Sequence, residues 1–313
     1  MRFRFGKWYE TFIRKEGKKL QQTPVTGWMH SNAAVPTVKD IDNLSFYSND
    51  RAFLSMVKRV LPSINETIAF PAKFIDDIDD VTFVISHNRP YGSDSIVLFP
   101  IGDYFTPQRI RLAFDDAKPF TSKTSTLFWR GTTTSPISTD DMTSIGLGTK
   151  HAFKNNRLAI VEFLSTLGRV DIDVGFTSVV QTTNRSIIAA ASRLSKPRVD
   201  VHTLLHYRFI LCMEGNDWAS NFAWALASWS VPFHTYPFTS ESLLFGDKLE
   251  PWIHFIPVHH NASDVVQHMQ WCNTYETACF NIARNGRKYI IPYINETLYD
   301  EVNLQMLELY AAQ

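Results

Sequence analysis

The chain has 313 residues, 44% of them hydrophobic and 13% aromatic, and a chain of this length favours two globular domains. Its 31 Lys and Arg residues balance 31 Asp and Glu residues, so no overall positive charge would attract nucleic acid. No apolar run approaches the ~20 residues that span a bilayer, and no apolar signal follows Met1. Three cysteines are too few, and odd in number, for a disulfide scaffold, which favours a reducing compartment. Composition therefore predicts a soluble, cytoplasmic protein with no nucleic-acid partner.

Residues 1–19 form a basic and aromatic segment, with seven Lys or Arg residues and five aromatic residues. This pattern favours an amphipathic helix whose aromatic side chains pack on the protein body. A weak peripheral contact with a membrane is the alternative, but a helix that inserts into an interface needs a wider apolar face.

Strands and helices alternate along the rest of the chain. Residues 81–86 and 95–99 are β-branched and aromatic runs typical of buried strands in a parallel sheet. Further strands are predicted at 126–129, 170–176, 207–213 and 231–234, and helices at 156–168, 219–230, 264–271 and 275–286, the last ending at Gly286. This alternation predicts a doubly wound α/β domain over residues 118–291. An N-terminal domain, residues 1–117, is predicted to precede it and to be joined by the helix at 292–313.

The segment that follows the strand at 207–213 is a candidate anion site. Its turn contains Gly215, Asn216 and Asp217, and the next helix begins near Ser220 and Asn221. Free N–H groups at a helix N-terminus bind phosphate or diphosphate, and a glycine lets a ligand approach the backbone closely. An ordinary strand–helix turn, with Asp217 capping the helix, explains the same residues.

Arg130 and Gly131 end the strand at 126–129 and form a second candidate site. A guanidinium group can donate a forked pair of hydrogen bonds to a phosphate, or it can pair with a structural carboxylate. The residues alone leave both interpretations open.

Metal and disulfide sites are not predicted. His259 and His260 are adjacent on a strand-like segment, so their side chains point to opposite faces. Residues 76–80 contain an Asp-x-Asp spacing that could hold Mg²⁺, but this acidic run precedes a strand and is interpreted as a solvated turn. Cys272 and Cys279 are seven residues apart, two turns of a continuous helix, and are predicted to be separate core residues.

Four separated segments together resemble glycosyltransferase family 90. They are FWRG at 128–131, YRFILCMEGNDWASNFAW at 207–224, LEPWIHFIPV at 249–258 and IARNGR at 282–287. This family includes capsule-associated xylosyltransferases, lipopolysaccharide-modifying enzymes and protein O-glucosyltransferases. The resemblance covers residues 78–290, and the segments occur in the order that the family has.

The resemblance implies a GT-B fold, in which two Rossmann-like domains face a central cleft and the C-terminal one holds the nucleotide sugar. It implies an inverting, metal-independent enzyme without a cofactor. Such an enzyme would transfer xylose or glucose from UDP-xylose or UDP-glucose to a glycan acceptor of a capsule, a lipopolysaccharide or a viral capsid. The donor-binding residues implied in this way are Arg130, Gly131, Thr132, Arg157, Gly215, Asn216, Asp217, Ser220 and Asn221.

The catalytic base is where this chain departs from the family pattern. The family has Arg-Asp-x-Pro after a strand of its first domain, whereas residues 87–90 read His-Asn-Arg-Pro, and Asn88 cannot accept a proton. His87, Asp94 and Asp103 are the candidate replacements. Two other hypotheses stay open: a catalytically inactive GT-B module that binds a nucleotide sugar or a glycan, and a retaining GT-B transferase.

Overall fold

The computed structural model describes residues 107–116, 118–134, 157–215, 218–242 and 248–311, and the backbone of 84–86, 88–90 and 96–98. The chain divides into two compact units. The first unit comprises residues 1–109, 240–246 and 292–313, and the second comprises residues 110–239 and 247–291.

The secondary structure of the described residues alternates as a doubly wound fold requires. The strands are β1 (Val84–Ser86), β2 (Asn88–Pro90), β3 (Ile96–Leu98), β4 (Thr124–Thr132), β5 (Ile172–Ser178), β6 (Tyr207–Cys212), β7 (Val231–Thr235), β8 (Ser240–Ser242) and β9 (Ile256–Val258). The helices are α1 (Pro107–Phe114), α2 (Arg157–Thr166), α3 (Arg185–Arg193), α4 (Val201–Leu204), α5 (Ser220–Ala227), α6 (Val265–Thr274), α7 (Glu276–Ile290) and α8 (Glu296–Ala311). Short 3-10 turns occupy Phe120–Ser122 and Ile291–Ile294.

A five-stranded parallel sheet forms the centre of the second unit. Its strand order is β5-β4-β6-β7-β9, and every neighbouring pair is parallel. Numbered along the chain, these five strands have the order 2-1-3-4-5 of one common doubly wound fold. The prediction of an α/β domain with a parallel sheet is confirmed.

The order of the strands places a topological switch point between β4 and β6. The chain leaves β4 for β5 on one side and leaves β6 for β7 on the other. The connections that follow these two strands therefore diverge, and they leave a crevice outside the carboxyl ends of the strands.

The core explains why these segments form strands and helices. In β6, Phe209, Ile210 and Leu211 are all fully buried, as expected for a central strand that is covered on both faces. On α2, Leu158, Val161 and Leu164 form a buried stripe at helical spacing and join the same core cluster. The helix is followed by Gly168 at φ +60°, a left-handed conformation that favours glycine.

The prediction that Cys272 and Cys279 are not joined is wrong. Helix α6 ends at Thr274 and α7 begins at Glu276, and Tyr275 between them has φ −111° and ψ 56°. This break brings the two cysteine Cα atoms to 5.1 Å, and the sulfurs form a disulfide. A continuous helix would separate them by about 10 Å. Both cysteines are buried in the core, as predicted. Because they form a disulfide, the number of cysteines no longer favours a reducing compartment.

The predicted end of the last of these helices is also wrong. Helix α7 continues to Ile290, so Gly286 lies inside the helix and not after it. A Cβ on Gly286 would be 3.1 Å from Leu226 Cδ2 and 3.3 Å from the carbonyl oxygen of His254. The glycine therefore permits a close approach of α7 to its neighbours instead of ending the helix.

The described part of the first unit contains two small pairs of strands. Strands β1 and β3 are parallel, as predicted from their composition, and β2 and β8 are antiparallel. Residues 292–313, which include α8, group with this unit. A second Rossmann-like domain stays a prediction. Among the described helices, none has both the length and the hydropathy of a transmembrane span.

Candidate functional site

The switch point between β4 and β6 carries a cluster of polar groups. Residues 132–134 lie at the end of β4, and residues 213–215 follow β6. Ligands of open α/β sheets bind in the crevice outside the carboxyl ends of the strands at such a point.

Arg157 links the ends of these two strands. It is the first residue of α2 and is 8% exposed. Its Nε donates to the carbonyl oxygen of Glu214 at 3.0 Å, and its Nη2 donates to that of Met213 at 2.7 Å. Its Nη1 donates to the Thr132 carbonyl at 3.2 Å and to Thr134 Oγ1 at 2.6 Å. A permanent positive charge is thereby held rigidly where the chain leaves β4 and β6.

Gly215 lies directly against this guanidinium group. A Cβ at position 215 would be 2.9 Å from Arg157 Nη2 and 3.0 Å from Thr134 Oγ1. No side chain fits there without a shift of these groups, so the position needs glycine. The structure therefore brings together three predicted donor-binding residues, Thr132, Arg157 and Gly215.

The start of α5 adds hydrogen-bond donors near the end of β6. Ser220 is the first residue of this helix, and Asn221 donates from Nδ2 to the carbonyl oxygen of Leu211 in β6 at 2.8 Å. Ala219, at the N-cap position, makes no side-chain capping bond. The first N–H groups of a helix have no partner within it, and such groups bind anions.

Glu214 is a buried acidic residue at the carboxyl ends of the strands, and the sequence analysis did not select it. It is 2% exposed. Its carboxylate accepts hydrogen bonds from the Thr239 N–H at 3.0 and 3.2 Å and from the Thr239 hydroxyl at 2.8 Å. These bonds tie the end of β6 to the segment that follows β7. The sequence does show an acidic residue between a buried strand and a glycine. It does not show the partner of this residue, because Thr239 is 25 residues further along the chain.

Arg130 points away from this cluster. Its Nη2 donates to both carboxylate oxygens of Asp173 at 2.9 Å, and its Nη1 donates to the Asp173 carbonyl at 3.0 Å. Asp173 belongs to β5, on the side of β4 opposite β6. These contacts form a structural ion pair, which was one of the two interpretations of Arg130 that the sequence allowed. A phosphate contact for Arg130 stays a prediction.

The Asp173 carboxylate has a second cation beside it. Burial raises its pKa, but hydrogen bonds from Lys196 and Arg130 outweigh this effect and hold the pKa below its usual value. Nearby, a Cβ on Gly131 would overlap the indole ring of Trp129. Packing against Trp129 therefore explains why position 131 holds a glycine. The donor-binding role of Gly131 stays a prediction.

His234 is a buried histidine that the sequence interpretation did not select. It lies near the carboxyl end of β7, and its Nδ1 is 2.6 Å from the carbonyl oxygen of Thr235. The rings of Phe222, Phe238 and Phe255 surround it. Complete burial lowers its pKa to about 3, so it is neutral at physiological pH.

Some predicted site residues lie outside the described residues. They are the candidate bases His87, Asp94 and Asp103, the turn residues Asn216 and Asp217, the acidic run at 76–80 and the segment 1–19. Their roles stay predictions.

A parallel sheet of this strand order, with a buried arginine and a strand–glycine–helix turn at its switch point, places this unit in the class of doubly wound α/β domains, whose ligands bind in the crevice at that point. The model of one particular family, described as "Glycosyl transferase family 90", matches residues 108–312. The chain belongs to this family, which confirms the resemblance found in the sequence.

Individual relatives agree with this assignment. Over 177 residues the chain is 23% identical to "O-glucosyltransferase LpsA" of Dichelobacter nodosus, a match that covers 56% of this chain and 46% of that protein. It is 26% identical over 204 residues to "Protein O-glucosyltransferase 1" of Rattus norvegicus, covering 63% and 45%. Protein 035R of Invertebrate iridescent virus 3 is 23% identical over 214 residues, covering 64% and 18%. Each match therefore spans less than half of the relative.

Proposed function

We propose that the protein is a glycosyltransferase that binds a UDP-sugar at the switch point between β4 and β6. It transfers xylose or glucose from UDP-xylose or UDP-glucose to a glycan acceptor, with inversion and without a metal ion. The observation that carries this proposal is the position of Arg157, whose buried guanidinium spans the ends of both strands beside Gly215.

This geometry suits the chemistry of the leaving group. Negative charge develops on the diphosphate of UDP as the bond to the sugar breaks, and fixed positive charge and N–H donors stabilise it. Arg157 supplies the charge, and the N–H groups at Ser220 and Asn221 supply donors. Glu214 has a different task here, because its carboxylate oxygens accept three hydrogen bonds from Thr239 and hold the segment after β7.

Inversion requires a base that removes the proton of the acceptor hydroxyl as it attacks the anomeric carbon. His87, Asp94 and Asp103 are the residues that we propose for this step. The two units would then be the two Rossmann-like domains of a GT-B enzyme.

The names of two relatives bear on the donor sugar. Both LpsA and Protein O-glucosyltransferase 1 are named for O-glucosyl transfer, which favours UDP-glucose over UDP-xylose here.

Calorimetric titration with UDP, with and without EDTA, tests the donor site. We expect UDP to bind with a Kd in the micromolar range and EDTA to leave the Kd unchanged. A Kd of 1 mM or weaker, about −4 kcal/mol, would overturn the donor-site assignment, and a Kd raised by EDTA would overturn metal independence.

Proton NMR of the reaction with UDP-glucose tests the chemistry. The β-anomeric product indicates inversion, and the α-anomer indicates a retaining enzyme. UDP binding without any turnover of UDP-glucose or UDP-xylose would favour the inactive binding module, for which Asn88 is the observation in the sequence. Single substitutions His87→Ala, Asp94→Asn and Asp103→Asn would then identify the base in an active enzyme.

A further inference from the structure

A cavity lies at the end of the central sheet opposite the switch point. Its volume is about 490 Å³, within the range of roughly 300–1,000 Å³ that holds small ligands. Phe120 precedes β4 and Trp229 precedes β7, so this cavity lies at the amino ends of the strands, whereas the donor site lies at their carboxyl ends. It is therefore a different site.

Aromatic rings form the wall of the cavity and hold one another in place. The rings of Trp229 and Phe280 have centroids 5.7 Å apart and planes inclined by 21°, and Phe280 is 5.5 Å from Phe120. The guanidinium of Arg287 lies 4.2 Å from the Trp229 ring centroid and donates to the Phe114 carbonyl at 2.9 Å. This wall is preformed and apolar, which suits a flat or ring-shaped ligand with apolar C–H groups.

Polar groups form the rim. Thr121 and Thr277 line the cavity and are exposed. Glu276 is also at the rim, with its side chain half-exposed. Hydroxyl and carboxylate oxygens accept hydrogen bonds, and the hydroxyls also donate them. A ligand that carries several hydroxyl groups around its edge would find partners for them here.

The charges at the rim are balanced. Arg208 donates to Glu276 at 3.1 Å, and its guanidinium lies 4.7 Å from the centroid of the Phe120 ring. Neither an anionic nor a cationic ligand meets an uncompensated charge from this pair, so the rim favours an uncharged ligand.

We propose that this cavity, with its aromatic wall and hydroxylated rim, binds a neutral pyranose unit of a glycan away from the donor site. An aromatic wall and a polar rim match the apolar C–H face and the hydroxyl edge of a sugar ring. The choice of a glycan among neutral ring-shaped ligands rests on the proposed function, because a glycan-modifying enzyme encounters the sugar units of its acceptor. Such a site would hold an oligosaccharide acceptor at a second point.

The disulfide shapes this cavity. Glu276, Thr277 and Phe280 belong to the first two turns of α7, which begin after the break at Tyr275. Cys279 lies in the same turns and is bonded to Cys272. The covalent link thus fixes the direction in which the rim residues leave the end of α6.

Heteronuclear NMR titration of the full chain with methyl β-D-glucopyranoside tests the proposal. We expect a Kd in the millimolar range, with shifts at Thr121, Thr277 and the indole N–H of Trp229. Glu276→Ala should weaken binding at least fivefold. Glu162→Ala, which removes an exposed carboxylate from α2, should leave the Kd within twofold.

Two results would overturn the proposal. One is the absence of shifts at these residues up to 50 mM glycoside, roughly 50 times a typical weak Kd of 1 mM. The other is equal binding of cyclohexanol, which has the ring but not the set of hydroxyl groups, together with no effect of Glu276→Ala. That pair of results would indicate a purely apolar pocket.

A parallel titration with UDP separates this proposal from the proposed function. UDP should shift resonances of residues 132–134 and 213–221 and leave the cavity residues unchanged. If UDP binds there and the glycoside does not bind, the cavity proposal alone fails. If the glycoside binds and UDP does not, the donor-site proposal fails and the cavity stands as a sugar site.

Discussion

The Nη2 atom of Arg157 donates a hydrogen bond of 2.7 Å to the carbonyl oxygen of Met213. Arg157 begins α2 and Met213 follows β6, so this bond joins the segments that leave the sheet in opposite directions at the switch point. The same side chain therefore stabilises the carboxyl ends of β4 and β6 and carries the positive charge of the candidate donor site.

Substitution Arg157→Lys keeps the charge but removes the fork of donors that reaches several carbonyl groups. We expect UDP to bind at least tenfold more weakly and the free energy of unfolding to fall by about 2 kcal/mol, because buried carbonyl oxygens lose their donors. Calorimetry and urea denaturation measure the two effects. Arg193→Lys, an exposed change on α3, is the control and should alter neither quantity. If the Arg157→Lys variant binds UDP as tightly as the original chain, the assignment of Arg157 is contradicted.

Substitution Gly215→Ala places a methyl group 2.9 Å from Arg157 Nη2 and 3.0 Å from Thr134 Oγ1. We expect a loss of about 1–2 kcal/mol in stability from overpacking, and weaker UDP binding because the guanidinium must shift. Denaturant titration and calorimetry again provide the measurements.

Gly168→Ala is the matched control for this glycine. Gly168 has φ +60°, and a Cβ there would meet nothing within 4 Å. Alanine at 168 should therefore cost about 1 kcal/mol through backbone strain and leave the affinity for UDP unchanged. If both glycine variants weaken UDP binding equally, the effect comes from general destabilisation and not from the site.

Substitution Glu214→Gln replaces one carboxylate oxygen by an N–H₂ group that faces the donors of Thr239. We expect the free energy of unfolding to decrease by about 1–3 kcal/mol, because a buried donor loses its acceptor. Thermal and urea unfolding would measure the change. Glu162→Gln on the exposed face of α2 should stay within about 0.5 kcal/mol of the original chain. Equal stability of the two variants would show that the bonds to Thr239 do not hold the segment after β7.

His234 should make stability depend on pH. Its pKa is about 3 in the folded chain and ~6.5 in the unfolded chain. Above pH ~6.5 the imidazole is neutral in both states. As the pH falls below this value the unfolded chain takes up a proton that the folded chain excludes, so stability is lost until the pH nears 3. The maximum slope from one such group is about 1.4 kcal/mol per pH unit.

Substitution His234→Asn removes this group while its amide can still donate to the Thr235 carbonyl. We expect the plot of unfolding free energy against pH between about 6 and 4.5 to become less steep by up to about 1.4 kcal/mol per pH unit. The original chain, measured over the same pH range, is the reference. An unchanged slope for the His234→Asn variant would mean that His234 is accessible to protons in the folded chain.

The disulfide predicts the number of free thiols. The chain has three cysteines. Cys272 and Cys279 form the disulfide, and Cys212 is a free, buried thiol. A thiol reagent should therefore modify a single cysteine per chain after denaturation without reductant, and all of them after reduction. Modification of every cysteine without reductant would contradict the disulfide. The double substitution Cys272→Ala and Cys279→Ala should lower stability by about 2 kcal/mol, because the unfolded chain gains freedom.

The sheet could be predicted because its signal is local. Each strand is a short run of residues such as Phe209, Ile210 and Leu211, and buried parallel strands carry such runs. The glycine turn after β6 was also visible for the same reason, since a strand, a glycine and a helix start follow one another directly in the chain.

The direction of Arg130 and the role of Glu214 could not be predicted in this way. Both depend on partners that are distant in sequence, Asp173 and Thr239, and the pairing of strands decides which partner is near. The disulfide was missed for a different reason. The sequence predicted two helices that meet near Tyr275, as the structure has them, but the spacing of Cys272 and Cys279 was judged as if one continuous helix ran through both. The sequence does not show how sharply the chain turns between the two helices, and that turn brings the sulfurs together.

The hydrogen bonds of Arg157 to its own backbone have a thermodynamic consequence for ligand binding. A long side chain that is free in the empty protein loses rotational freedom when a ligand orders it, and this loss of entropy weakens affinity. Here the guanidinium is already immobilised by the carbonyl groups of Thr132, Met213 and Glu214. The association of an anion with this guanidinium should therefore carry little entropic penalty from the arginine itself.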